Sequence, residues 1–331
     1  MHRYPWLRFS YKKILTQHLL QRGHHAVLVQ TVPGMAAEIL ILSMARWLMC
    51  HNPLGLKSCG QCHSCRLMLA TSHPDWYQLE SDKNTNIIGV DLIRKLIEKI
   101  YHHSRLNGAK VVFLVDIEKL TESASGALLK TLEEPPPNTW FFLINYEPSP
   151  FLSSLRSRCL VWYLPTMNET EGLIWLKKQI SEEPEKLSTA LRLSSGAPLA
   201  ALSLLDLKSW ESRLQVCHGL LDNLTGDLLE LLPILNHSDV LNRIFWLCSL
   251  LIDAGKWNRE AGEFISNLDQ TKLIVHLSNI LSPRDLSISA YEWMICRSRL
   301  SRVAGINVEL LLTEQLLCWE ALIKNHEEIR I

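Results

Sequence analysis

Four thiols crowd one short stretch of the chain. In "CHNPLGLKSCGQCHSC", Cys50, Cys59, Cys62 and Cys65 are spaced C-x8-C-x2-C-x2-C. Two thiolates three positions apart wrap one ion through a tight knuckle, with Gly60 easing the turn, and the more distant cysteines complete a tetrahedron. Soft sulfur at that count selects zinc in a reducing compartment. A closed four-sulfur site leaves no position for water or substrate, so the expected role is structural. His51 and His63 stand near as substitute ligands, the same thiols could hold an iron–sulfur cluster, and the bland alternative is four unrelated cysteines in a surface loop. The other five cysteines lie singly among apolar residues, as reduced core thiols do. A disulfide framework is not expected in a chain of this size with no secretion signal.

A second stretch has the outline of phosphate chemistry without its charges. "HAVLVQTVPGMAAEILIL", His25 to Leu42, reads as strand, turn and apolar helix, the unit whose loop amides and helix N-terminus hold phosphate. Laid on G-x-x-x-x-G-K-[ST], "TVPGMAAE" places Thr31 at the first glycine, Ala36 at the second, Ala37 at the lysine and Glu38 at the Ser/Thr; Gly34 alone remains as an interior glycine. A carboxylate at Glu38 repels triphosphate where magnesium should bind. Further on, "KVVFLVDIEKL" ends an apolar run on Asp116, as a Walker B strand does. Ile117 stands where an ATPase places its catalytic glutamate, and strand alternation is expected to turn Glu118 to the wrong face. Two losses at one expected site argue against hydrolysis there. The alternative on these segments is a sheet that never bound nucleotide.

The elements that must position these residues alternate. Strands are expected at His25–Gln30, Asp75–Glu80, Val111–Asp116, Thr139–Asn145 and Leu160–Leu164, with helices at Ala36–Met49, Val90–His103 and Ser123–Leu132 between them. In Val90–His103 the residues Leu92, Ile93, Leu96, Ile97 and Ile100 share one helical face. Strands separated by helices predict a parallel sheet covered on both sides. After Pro165 strand signals cease. Residues 166–207 read as two or three short helices, and everything from Lys208 on reads as helical. The expected division is an α/β domain at 1–165 with the cysteine module at about 50–65, a small helical domain at 166–207 and a larger helical domain at 208–331.

The whole chain sets bounds on function. Its 331 residues suit two or three domains, and a formal net charge of zero encodes no general pull toward nucleic acid. The basic N-terminus lacks a signal-peptide core, and the apolar stretch Ile39–Met49, broken by Ser43 and Arg46, is too short to span a bilayer. The expected setting is cytoplasmic, with no membrane contact. His24–His25 and His102–His103 are expected to diverge rather than share a metal, and Trp210, Trp246, Trp257, Trp293 and Trp319 to serve as core or subunit interface. No nucleophile-elbow motif supports Ser-His-Asp chemistry.

"LLKTLEEPPPNTWFFLINYEP" followed by "LRSRC" resembles the AAA+ clamp-loader subunits of replicative DNA polymerases. The resemblance covers most of the chain, including "YPWL" at Tyr4–Leu7, "QRGHHA" at Gln21–Ala26, the cysteine insertion after the first phosphate-loop helix and the helical last third; "TLEEPP" at Thr131–Pro136 and "SRC" at Ser157–Cys159 are distinctive together. It implies an AAA+ domain with a zinc-binding insertion, a helical lid and an all-α collar. It also implies a subunit at one end of an open pentamer whose partners are gamma/tau and delta subunits, acting through the assembled complex on a sliding clamp and primer–template DNA. In that family the SRC arginine, here Arg158, acts in trans as an arginine finger in the neighbouring gamma/tau ATP site. Arg156 is its nearby competitor, and a helix-end arginine is the plain alternative. Asn145 matches the sensor-1 position, while Leu199 stands where ATP-binding relatives carry the sensor-2 arginine. Two other readings stay open: an active AAA+ ATPase, and a zinc-dependent DNA-binding replication or repair accessory protein. For the latter the cysteine loop offers Lys57 and Arg66 but no dense basic patch or stacking platform.

Overall fold

Strands β1 (Ala26–Gln30), β2 (Trp76–Leu79), β3 (Lys110–Leu114), β4 (Thr139–Asn145) and β5 (Leu160–Tyr163) form one sheet of order β2-β3-β4-β1-β5, parallel throughout. The computed structural model describes residues 3–81, 87–147, 152–224, 226–303 and 305–327; Pro148, which closes "LLKTLEEPPPNTWFFLINYEP", lies outside them. β3 is buried along its whole length and β4 nearly so, as near-continuous apolar runs are when both faces of a parallel sheet are covered.

Helices α1 (Leu7–Leu19), α2 (Ala37–Leu48), α3 (His63–Leu69), α4 (Val90–Tyr101), α5 (Glu122–Glu133) and α6 (Leu152–Arg156) surround this sheet. Ala26, Leu28, Val112, Leu114, Phe141 and Leu143 meet Ile93, Leu96 and Ile100 of α4 and Ala124, Leu128 and Leu132 of α5 in one core. The alternate residues, including Val27, Val29, Phe142 and Ile144, are equally buried on the other face. On α4 the expected stripe holds except at Leu92, which sits at its edge, more than a third exposed. Thr121 starts α5 by accepting the Ala124 amide on its hydroxyl.

The expected strand Val111–Asp116 is shorter than its apolar run. β3 stops at Leu114, Asp116 takes a left-handed φ of 54°, and Ile117–Lys119 coil into one 3-10 turn. Three helices in this half go beyond the expected elements: α1, of 13 residues, and the shorter α3 and α6.

The chain folds as two units, Met1–Met167 and Asn168–Ile331. The second is helical wherever it has regular structure. It opens with α7 (Glu169–Lys177), α8 (Pro184–Leu193) and α9 (Pro198–Leu204), then continues through α10 (Leu207–Asn223), α11 (Leu232–Leu235), α12 (Val240–Trp257), α13 (Thr271–Ile280), α14 (Pro283–Arg302) and α15 (Val308–Glu327). Trp246, Trp293 and Trp319 lie in its core and Trp210 is buried, whereas Trp257 is 38% exposed. Arg192 of α8 pairs with Glu169 of α7 and donates to the carbonyls of Glu263 and Ile265. The fully buried Arg213 of α10 is held by both carboxylate oxygens of Asp269 and by Asn267. A buried guanidinium is tolerable only when paired and hydrogen-bonded in this way.

Candidate functional site

The cysteine cluster begins where α2 ends. Cys50 follows the helix by two residues, and Cys62 caps α3, accepting the Cys65 amide on its sulfur. The Cys59 amide points at the Cys50 sulfur at 3.2 Å and the Cys62 amide at the Cys59 sulfur at 3.3 Å. Gly60 takes φ +74°, the left-handed turn that lets the knuckle close. All four sulfurs lie within 4.8 Å of one another, and Cys59 and Cys65 are 3.9 Å apart. A tetrahedral thiolate site with bonds of about 2.3 Å places its sulfurs about 3.8 Å apart, so the four cysteines fit one metal ion. The amides of Gln61 and then Cys62 hold the Cys59 thiol down at about 6. Burial, then the neighbouring thiols, pushes Cys65 up to about 12; a cation among the sulfurs favours the thiolate there too.

A buried relay that the sequence pattern does not announce ties this cluster to the sheet. Ser64 donates its proton to the Met49 carbonyl at 2.6 Å and sits 2.8 Å from Nε2 of His73. His73 Nδ1 accepts the Asp75 amide at 3.1 Å, so Nε2 carries the hydrogen that Ser64 accepts. Asp75, fully buried, accepts from the Ser104 hydroxyl and the amides of Arg105 and Leu106. Serine, histidine and aspartate thus come together with the serine's proton engaged and every member buried. The arrangement is a strut, not a nucleophile.

At the other end of α2 the phosphate-type loop keeps its shape. Gly34 has φ 86° and Ala36 φ 59°, so Ala36 holds the left-handed conformation without a glycine. Thr31 donates its amide to the Asn145 carbonyl and its hydroxyl to the Leu164 carbonyl. Met35 and Ala37 are fully buried, and the Trp6 indole donates to the Met35 carbonyl at 2.9 Å. Around this loop the side chains are acidic. Glu38 accepts the Tyr146 hydroxyl. Asp116 pairs with Lys119 at 2.6 Å. Asn145, 4% exposed, donates to Glu118 at 3.1 Å and to the Glu147 carbonyl. The expectation that Glu118 turns away is corrected: it rested on a strand that ends four residues earlier, and the 3-10 turn aims Glu118 at Asn145. Burial, then Glu38, Asp116 and Glu118, pushes the Tyr146 phenol up, so all three carboxylates act on one point. That field opposes a triphosphate.

Arg158 belongs to the opposite end of the sheet. It lies between α6 and β5, and the pairing of Val27 with Leu160 sets it level with His25, one residue before β1. The phosphate-type loop leaves the far end of β1, six residues or about 20 Å along the strand. Arg158 Nε donates to Glu133 at 2.6 Å, a second guanidinium nitrogen also reaches Glu133, and the third donates to the Ser154 carbonyl and Ser157 hydroxyl. The helix-end contact is therefore present alongside an ion pair. Arg156 donates to the Tyr163 hydroxyl. The His24 and His25 rings stack at 4.4 Å instead of diverging, because β1 begins only at Ala26. His25 Nε2 contacts the Leu132 carbonyl beside Glu133.

Comparison with known proteins covers nearly the whole chain. Residues 10–168 match the family described as DNA polymerase III, delta subunit, and residues 168–206 match the AAA+ ATPase lid domain of DNA polymerase III subunit delta'. Residues 208–321 match the C-terminal family of the DNA polymerase III delta subunit. The DNA polymerase III subunit delta' of Yersinia pestis is 50% identical over 97% of this chain and 96% of its own length. That of Escherichia coli K12 is 44% identical over 95% and 94%. Among solved structures, a DNA polymerase III gamma subunit-related protein of Thermotoga maritima aligns over 93% of this chain and 98% of its own at 17% identity and a TM-score of 0.45, too distant to argue from.

Proposed function

The chain belongs to the DNA polymerase III delta' family, and we propose that it serves the bacterial clamp loader without hydrolysing ATP, lending Arg158 to the ATP site of a neighbouring gamma/tau subunit. The observation that carries this reading is the polarity of the sheet. The end that should hold nucleotide has Ala37 and Glu38 in place of lysine and hydroxyl, with Asp116 and Glu118 beside them. The only SRC arginine sits at the other end, where it cannot reach its own loop and faces outward, 33% exposed. A guanidinium presents a rigid, permanently charged fork to a phosphate gaining charge in the transition state.

The remaining parts follow from the same membership. Residues 166–207 act as the lid and 208–331 as the collar that assembles with gamma/tau and delta. The assembled loader opens the sliding clamp at primer–template junctions. The four cysteines hold zinc, selected by soft sulfur in tetrahedral number; bound there, the ion cross-links Cys50 to the α3 turn. No helix among the described residues is long and apolar enough to cross a membrane, and the reading places the chain in the cytoplasm.

The test is ATP turnover by the reconstituted loader, stimulated by DNA and clamp, with Arg158→Ala against the unaltered chain and gel filtration to check assembly. A finger of this kind is worth about 10³–10⁵ in rate at the site it serves, so the substituted complex should assemble and lose that site's share of turnover. The chain alone should be silent. Wild-type turnover by the Arg158→Ala complex would return Arg158 to its contact with the end of α6.

A further inference from the structure

Glu133 is oddly placed for a helix-terminal residue. It is the last residue of α5, where the helix dipole disfavours a carboxylate. The chain around it is fixed on both sides: the Leu132 carbonyl is 2.8 Å from His25 Nε2, and three prolines, Pro135 to Pro137, follow Glu134. An anion held there needs a cation, and Arg158 supplies it from 25 residues away in sequence. Four of the guanidinium's five N–H groups are engaged: Nε and one more on Glu133, two on Ser154 and Ser157. Among the described residues only the Glu133 contact cancels the charge.

That arrangement bears on a guanidinium meant for phosphate. With Glu133 in contact, Arg158 offers one free N–H and a compensated charge, so it cannot present a fork to an incoming anion. The pair is half-exposed, at 33% and 50%, so the contact is weak enough to be reversible. A terminal phosphate carries more charge than a carboxylate and accepts on three oxygens, which lets it win the exchange at close range.

We propose that Glu133 is a latch on Arg158, holding the guanidinium charge-compensated until the terminal phosphate of a nucleoside triphosphate on a neighbouring subunit takes over its donors. The proposal rests on the trans-acting role of Arg158 given above. The latch keeps the finger from acting on nucleotide before the assembly has closed around DNA, so it raises the contrast between idle and stimulated turnover. It needs no moving element larger than two side chains.

The experiment measures ATP turnover of the reconstituted loader with and without DNA and clamp, using Glu133→Gln, Glu133→Asp, Arg158→Ala and the Glu133→Gln/Arg158→Ala double substitution. Glutamine removes the charge, and aspartate keeps it but falls one methylene short of Arg158. Both should raise idle turnover at the served site by about two- to fivefold, the reach of a half-exposed ion pair. Stimulated turnover should change less than twofold, and the double substitution should show no gain. A fall in stimulated turnover parallel to that of Arg158→Ala overturns the latch and makes Glu133 a support for the working finger. Unchanged idle rates in both single Glu133 variants overturn it as well. If Arg158→Ala alone has no effect, the trans role fails and the latch fails with it. If Arg158→Ala does lower turnover while the Glu133 variants stay flat, only the latch falls.

Discussion

Helix α2 meets an ion-binding type of loop at each end. At its N-terminus the Thr31–Glu38 loop keeps the left-handed backbone at Gly34 and Ala36 and the buried seat under Trp6, but it carries Ala37 and Glu38 where a phosphate loop carries lysine and a hydroxyl. At its C-terminus the loop from Cys50 to Cys65 has little apolar filling of its own, and all four sulfurs converge. The difference lies in what each loop is built on. The first is packed by Met35, Ala36 and Ala37, all 3% exposed or less, so the fold maintains its shape whether or not an ion binds. The second is tied by single hydrogen bonds from Tyr11 and Trp47, and on the proposed reading the ion its four sulfurs would hold supplies the rest. A loop that can stand on packing survives the loss of its chemistry; one that stands on coordination does not.

The sharpest way to break that contrast is to remove or offer the ligand at each end. Structural zinc sites in peptides have apparent binding free energies of about 10–16 kcal/mol at neutral pH, so chelation, or Cys62→Ser, should release the metal and free the 50–72 segment. Metal content and hydrogen exchange at the Cys62 and Cys65 amides report this directly. Millimolar ATP should leave the melting temperature where it was, since a ligand that does not bind the native state contributes nothing to stability. Stabilisation by ATP would mean that the acidic end still binds nucleotide. A metal-free chain with unchanged exchange in 50–72 would mean that the cysteine loop also stands on packing.

The two loops also differ in how much of them can be read from sequence. The cysteine site was legible because its ligands are local and their spacing is the geometry. β1 and β4 were legible because buried parallel strands are nearly continuous apolar runs, and β4 matches its expected span, Thr139–Asn145. The end of β3 was not. Nothing in "LVDIEKL" announces that Asp116 adopts a left-handed φ, and that single turn decides where Glu118 points. The Ser64–His73–Asp75 strut and the Glu133–Arg158 pair were illegible for another reason. Each joins residues by tertiary approach, 25 positions apart for Arg158, and no local pattern encodes such a distance. "TLEEPP" and "SRC" stand out together as signatures, but nothing in either announces a contact between them.

A paired glycine substitution sharpens the comparison at smaller scale. Gly60 and Gly34 have φ of 74° and 86°, and a side chain in the left-handed region costs about 1–2 kcal/mol. Nothing crowds a new Cβ at Gly60, so backbone strain is its whole cost. Gly60→Ala should therefore weaken metal affinity by about five- to thirtyfold, measured by competition with a chelator. Gly34→Ala should lower unfolding stability by a similar free energy and leave metal affinity alone. Equal metal affinity in Gly60→Ala would show that the knuckle does not need its left-handed turn.

The smallest expected effect is a gain, at Glu118. Burial, with Asp116 adding to it, holds this carboxyl above its ordinary value of 4.5. The folded state thus prefers it protonated, and at neutral pH the ionised form detracts from stability. That penalty is full above the folded pKa, fades as pH falls through it and is gone below about 4.5, where the carboxyl is neutral folded and unfolded alike. Glu118→Gln keeps an oxygen for Asn145 and for the Tyr146 amide while removing the charge. It should stabilise the chain at pH 7–8 by no more than about 1 kcal/mol, with the gain narrowing as urea melts are repeated at pH 6 and 5. Loss of stability at pH 8 would mean that the bonds from Asn145 and Tyr146 outweigh desolvation. The carboxylate would then be a supporting member of the acidic end, and that loop too would depend on charge as well as packing.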